Sequence, residues 1–508
     1  MAYTTDKIRN VALLGHSGSG KTSLAESILY STGAIDRQGK VADGNTVSDY
    51  DSEEIKRQIS ISLSAMYAEY KQHKINIIDT PGYFDFAGEV AEALRVADIG
   101  LIVCSAKDGI TVGLEKAWKS LSDHALPRAI YISKIDEENG SFEAVYDALH
   151  QKYGTHVCPV VMPIKDAGGK IEGIVDLIRR KAFKVEKGKR VEIPVPDSMA
   201  DELETYYTNI NESVAESSEE LMEKYFSGEA FTVEEIISGL RSGVQDGSLV
   251  PVFGGSAALN LGTLPLLDAI IDLFPSPLGR KEKTADGEAF TVDPNAPACA
   301  FVYKTISDQY GKFSLFKVMA GKVTADMTLT NARTGGTEKM GHIYMMQGKK
   351  SIEVKELVCG DLGAVSKLSE TKTGDTLCDA KKVFAVEGIT FPEPCYSMAI
   401  APKTKGQEEK ISSGLARLSE EDQTFRYANN VETRQLVISG LGDIHLDVIC
   451  SKLKDKFGVE VVLSPARVAY REKIRKKVQV RGRHKKQTGG HGQYGDVVIV
   501  FEPGESED

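Results

Sequence analysis

At 508 residues, 41% hydrophobic and 27% charged, the chain is too long for one hydrophobic core and of ordinary globular composition, so collagen-like and wholly disordered polymers are excluded and roughly three to five domains are expected. No run approaches the ~20 apolar residues of a membrane helix. Met1–Asn10 lacks a secretion signal's apolar core, and seven scattered cysteines form no CxxC pair; a cytoplasmic chain with reduced, mostly buried cysteines and no zinc module is expected.

The net charge of −11 is uneven: Asp197–Ser238 holds twelve acidic residues against one lysine, whereas Lys473–Lys486 holds eight Lys/Arg and no acid. A short basic segment on an acidic body can dock on phosphate locally, although either run also suits a solvated face.

Residues 8–164 alternate β-rich apolar runs with helical patterns: Ile8–Leu14, Ile75–Ile78, Ile99–Cys104, Ala129–Ser133 and Cys158–Met162. That rhythm predicts a multidomain chain that begins with an α/β domain over residues 1–280, a mostly parallel sheet with helices on both faces. An acidic, helix-prone insertion over about 163–250, punctuated by Pro194 and Pro196, interrupts it before the strand pattern resumes at Val250–Phe253. Beyond Pro275-Ser276-Pro277, residues 281–388 carry short β-rich runs separated by glycines, the pattern of an antiparallel β-barrel. Residues 389–472 read strand, helix, two strands, helix, strand, the order of a ferredoxin-like α+β domain, and residues 473–508 open a partial fourth domain.

Gly15-His16-Ser17-Gly18-Ser19-Gly20-Lys21-Thr22 fits GxxxxGK[ST], follows a strand and opens a helix carrying Leu24, Ile28 and Leu29. In such a P-loop the glycines let backbone N–H groups close on phosphates, Lys21 reaches the β- and γ-phosphates, and Thr22 offers a hydroxyl to Mg²⁺. The buried strand ending Asp79-Thr80-Pro81-Gly82 places a carboxylate where it would meet that Mg²⁺, and the Gly82 N–H can face the γ-phosphate. Ser133-Lys134-Ile135-Asp136, with Gly255-Ser256-Ala257, selects guanine: Asp136 accepts from N1–H and N2–H, the Lys134 stem covers the base, and N–H groups near Ser256 and Ala257 meet O6.

With these motifs in order, the chain resembles elongation factor G among the translational GTPases. The resemblance continues through Thr373–Cys378, Phe391–Pro394, Gly440–Asp447 and Gln487–Gly495. It implies GTP/GDP as nucleotide, Mg²⁺ held by Thr22, Ser60 and Asp79, and Lys21, Gly82 and residue 83 at the reacting phosphate. It also implies the ribosome as partner in translocation, with the acidic insertion meeting the stalk protein and Lys473–Lys486 facing ribosomal RNA; no DNA or membrane partner is implied, and a monomer is expected. GTP would order the Ser60 and Gly82 loops and so set the angle between nucleotide domain and barrel.

The departures are specific. Gly18 replaces the family's phosphate-loop Asp. The family's Arg-Gly-Ile-Thr reads Arg57-Gln58-Ile59-Ser60, keeping a hydroxyl for Mg²⁺, and its Asn-Lys-x-Asp reads Ser133-Lys134-Ile135-Asp136, losing the amide that braces the base against the phosphate loop, so that affinity is expected to drop while Asp136 retains discrimination. Tyr83 stands where the family has the His that positions the attacking water, so slow hydrolysis is expected. The family continues through a full fourth and a fifth domain, so the last strand is expected to be loosely held and the chain not to drive translocation by itself. Ribosome protection, release-factor recycling and a non-hydrolysing GTP-binding regulator stay open beside translocation. His484 and His491 have no metal-ligand spacing and are expected to face RNA or solvent.

Overall fold

The computed structural model describes residues 3–166, 169–186, 189–278, 280–308 and 311–504. The first domain is built on ten strands: β1 (Ile8–Leu14), β2 (Ser64–Tyr70), β3 (His73–Asp79), β4 (Ile99–Ser105), β5 (Arg128–Ser133), β6 (Val157–Lys165), β7 (Ile171–Asp176), β8 (Lys181–Glu186), β9 (Lys189–Ile193) and β10 (Val250–Gly254). They lie in the order β2-β3-β1-β4-β5-β10-β6-β7-β8-β9. The six from β3 to β6 are parallel. Every residue of β1 and β4 is buried, which is why these strands read as continuous apolar runs: helices cover both faces.

Those helices are α1 (Lys21–Ser31), α3 (Ala87–Val96), α4 (Val112–Asp123), α5 (Phe142–Tyr153) and, after the insertion, α9 (Thr263–Leu273), while the short α2 (Ser52–Arg57) lies in the loop before β2. The insertion is not helical from its start. β7, β8 and β9 first extend the sheet antiparallel from β6, and only then come α6 (Ala200–Ala215), α7 (Glu219–Phe226) and α8 (Val233–Asp246). The acidic run is concentrated in the stretch after Pro196, where the helices lie; before it, Ile174, Val175, Ala182 and Phe183 are buried strand residues.

The second domain is an antiparallel β-barrel unit of eight strands, from Thr337–Lys339 at one edge to Lys350–Val354 at the other. It curls around Ala300, Val302, Phe316, Val318, Ile343 and Leu377, with Val323 and Leu357 contributed by a separate two-stranded ladder. In the third domain α10 (Glu408–Glu421) and α11 (Asp443–Phe457) cover a four-stranded sheet ordered Arg426–Asn430, Gln435–Gly440, Tyr396–Pro402, Val461–Pro465, the ferredoxin-like arrangement. Residues Val478–Lys486 and Gln493–Phe501 form a hairpin exposed along nearly all of its length. Cys104, Cys158, Cys299, Cys359 and Cys378 are buried, Cys395 is exposed, and all seven cysteines are free. No helix among the described residues is long and apolar enough to cross a membrane.

Buried charges join the first two domains. Lys74 Nζ meets Asp361 at 2.7 Å, Lys317 Nζ meets Asp98 at 2.6 Å, and Lys304 Nζ lies 2.6 Å from Glu89 and 3.0 Å from Glu92. The third domain instead meets the loops around the nucleotide motifs. Arg57 Nη2 donates to Asp447 Oδ2 at 2.6 Å, the His445 N–H donates to Asp85 Oδ1 at 3.2 Å, and Ile61, Phe86 and Val448 share one apolar cluster.

Candidate nucleotide site

The P-loop leaves β1 at Leu14 and enters α1 at Lys21. Its first turn depends on Gly15: at φ +134°, a Cβ there would lie 2.2 Å from the Val103 carbonyl oxygen. Gly20 precedes α1 without a side-chain cap, so the first N–H groups of that helix are left for an anion. Lys21 is 5% exposed and its ammonium donates to Gly15 O (3.0 Å) and His16 O (2.9 Å). Burial pushes its pKa down to about 8. A buried cation thus sits beneath a loop that supplies no counter-charge of its own.

At the second residue of α1, the Thr22 hydroxyl donates to Asp79 Oδ2 (2.7 Å) at the end of β3 and lies 3.2 Å from Ser60 Oγ. These three sequence-predicted residues are therefore brought together. Two more that sequence reasoning missed join them: Ser48 Oγ donates to Asp79 Oδ2 (2.8 Å), and Asp49 is buried beside it. Burial raises the carboxyl of Asp79, and burial together with the charge of Asp79 raises that of Asp49 to about 6. Asp79 Oδ1 and Asp49 Oδ2 are buried and unpartnered. Among the described residues no group of three His, Cys, Asp or Glu side chains could hold a metal, so a cation here must use hydroxyls as well. Two orphaned carboxylate oxygens beside Thr22 and Ser60 form an oxygen-only donor set that fits a hard divalent cation. Thr46-Val47-Ser48-Asp49 reads as any polar loop, and no spacing singled it out.

The Asp79–Gly82 segment lies directly on the P-loop. A Cβ on Gly82 would sit 2.4 Å from Ser17 N and 2.6 Å from Ser17 Cα, and the Thr80 hydroxyl donates to Leu13 O at 2.6 Å. Tyr83, next in the chain, is 36% exposed, and its hydroxyl has no hydrogen-bond partner among the described residues. Phe84 packs between the His16 ring (6.1 Å between centroids) and Lys116 Nζ (3.6 Å from its centroid).

At the base end, Ser133 carries no amide for the base, but its hydroxyl, 2.6 Å from Ser19 O and 3.0 Å from Cys104 O, still ties β5 to the phosphate loop and to β4. The shorter side chain still reaches because β5 ends beside the loop. Of the N–H groups expected near the base, that of Ser256 is committed to Leu261 O at 2.9 Å, closing a small bridged loop, which leaves that of Ala257 for the role. Gln38 Nε2 donates to Ala257 O at 2.9 Å and Asn260 Nδ2 to Gln38 Oε1 at 2.9 Å, so the loop is fixed from behind. Lys134 takes φ +58° and pairs with Glu137 at 3.4 Å, while Asp136 is exposed.

Four family models match the chain in order: the elongation factor Tu GTP binding domain over residues 6–276, elongation factor G domain 2 over 297–380, elongation factor G domain III over 391–465, and elongation factor G domain IV over 466–508. The chain is also similar to a crystal structure of a Thermus thermophilus protein, at 33% identity and a TM-score of 0.86, over 98% of this chain and 74% of that one.

Proposed function

Because the chain belongs to the elongation factor G family of translational GTPases, we propose that it is a GTP-binding factor that acts on the ribosome in the translocation step of protein synthesis and hydrolyses GTP slowly. The observation that carries the nucleotide part is the cluster of buried Lys21, Thr22 and Asp79 with half-buried Ser60 and two unpartnered carboxylate oxygens at its edge.

In this reading the loop N–H groups and Lys21 bind the β- and γ-phosphates, and the Gly82 N–H faces the γ-phosphate. Thr22, Ser60, Asp79 and Asp49 would hold Mg²⁺, whose charge neutralises that developing on the phosphate oxygens. Asp136 accepts from guanine N1–H and N2–H, and the Ala257 N–H donates to O6. The Tyr83 hydroxyl can orient a water but cannot become a cation as an imidazole can, which is the source of slow turnover. Ser60 and Gly82 lie in loops that touch the third domain at Asp447, His445 and Val448, so nucleotide state is passed to that domain as well as to the barrel. The acidic helices α6–α8 would meet the stalk protein and the basic hairpin ribosomal RNA, with the factor acting as a cytoplasmic monomer.

Ribosome-stimulated turnover tests this directly. Tyr83→His should raise it, whereas wild-type turnover equal to that of an ordinary elongation factor G would contradict slow hydrolysis. The exposed, unpartnered Tyr83 hydroxyl also favours a second reading, a regulator that binds GTP without cleaving it. No phosphate release above the uncatalysed rate, with and without ribosomes, would select it.

A further inference from the structure

The barrel reaches the nucleotide site through the two-residue turn Gly348-Lys349, which joins strands Ile343–Gln347 and Lys350–Val354. The Gly348 N–H donates to Ala65 O (3.0 Å) and Gln347 Oε1 accepts from the Tyr67 N–H (3.1 Å), which pins the turn to β2 at the sheet edge. Gly348 has φ +58°, and a Cβ there would lie 2.0 Å from Val47 O and 2.9 Å from Val47 C. Only a glycine lets the turn come this close.

Val47 is held from its other side by α1. Its N–H donates to Glu26 Oε1 at 2.6 Å, and α1 is the helix that begins with Lys21 and Thr22. The next two residues are Ser48, bonded to Asp79 Oδ2, and Asp49, whose buried Oδ2 has no partner. Val47 is therefore clamped between the phosphate-binding helix and the barrel, two residues before the candidate cation donor Asp49.

We propose that Gln347 and Gly348 are positioning residues for the nucleotide and divalent-cation site, setting the place of Ser48 and Asp49 through Val47; this rests on the GTP and Mg²⁺ reading above. Neither residue touches the ligand. The turn converts docking of the barrel into a fixed geometry at the cation, and the converse holds by linkage: cation binding should tighten the barrel contact.

The test compares Gly348→Ala with Gly335→Ala in the full chain. Gly335 also has positive φ (+70°), but nothing lies within 4 Å of a Cβ there, so it carries the backbone strain without the contact. Affinity for a fluorescent GDP analogue is titrated against Mg²⁺, and amide exchange at residues 46–49 is followed in nucleotide-free protein. Gly348→Ala should need about tenfold more Mg²⁺ for half-maximal tight binding and exchange faster at those amides, with Gly335→Ala within about twofold of wild type. If Gly348→Ala does not fold, Gln347→Ala, which removes the acceptor for the Tyr67 N–H without adding volume, should shift the Mg²⁺ titration in the same direction. Indistinguishable Mg²⁺ titrations for the contact variant and Gly335→Ala, beside a Mg²⁺-dependent wild type, would overturn the positioning role. A wild type that binds the analogue with no Mg²⁺ dependence would remove the cation reading itself and this inference with it.

Discussion

Ser133→Ala takes one hydroxyl from the junction of base loop and phosphate loop. Ser133 is 2% exposed, and its single proton serves Ser19 O at 2.6 Å, with Cys104 O at 3.0 Å as the alternative acceptor. Alanine leaves the Ser19 carbonyl without this donor in a place water reaches poorly, which costs about 1–2 kcal/mol. If the nucleotide-free loop of the variant opens so that water reaches the Ser19 carbonyl, the cost falls on the closed, nucleotide-bound state, and the Kd for GDP rises roughly 5–30-fold. Ser133→Thr retains the hydroxyl and should recover most of the affinity. Kd values from fluorescent-nucleotide titration, with thermal unfolding of each nucleotide-free protein, separate the two destinations of the cost. A Ser133→Ala protein with unchanged Kd and unchanged unfolding would refute the brace.

Gly82→Ala would drive a methyl into the P-loop backbone at Ser17, an overpacking worth about 1–3 kcal/mol, and should weaken GTP more than GDP in competition binding. Lys304→Met leaves Glu89 and Glu92 without their buried cation and should destabilise the docked domains by about 3 kcal/mol in urea unfolding. His445 accepts the Leu441 N–H at Nδ1 (3.1 Å), so its Nε2–H donates to Asp422 Oδ2 (2.7 Å); against burial, which raises it, this bond together with those from the Thr424 hydroxyl and N–H holds Asp422 down to about 2. Since that value lies below the ordinary 3.8, the stabilisation is present above pH 3.8 and lost as pH falls through about 2. His445→Phe should therefore be less stable than wild type by about 2 kcal/mol at pH 7, with the gap narrowing between pH 4 and 2.

The parallel sheet was legible because its strands are apolar throughout, and the P-loop because glycines and Lys21 sit at fixed offsets between a strand and a helix. The ferredoxin-like unit followed from its order of elements alone. What the sequence hid has a common physical cause: it depends on contacts between segments far apart in the chain. Asp49 and Ser48 meet Asp79 across thirty residues of loop and strand, and nothing local marks them. Ser133 lacks the amide of an Asn, and whether its hydroxyl reaches Ser19 is set by how closely β5 passes the loop. The Ser256 amide looks free in the sequence until its partner, Leu261, is known. The strands of the insertion were masked by the acidity of the helices behind them.

The central claim is a guanine-selective phosphate site, and competition binding tests it most directly. With a fluorescent GDP analogue bound in the presence of Mg²⁺, unlabelled GTP should displace it while ATP at a hundredfold excess, about 2.7 kcal/mol of discrimination, should not; Asp136→Ala should abolish the difference. Equal displacement by ATP and GTP, or selectivity that survives Asp136→Ala, would contradict the account.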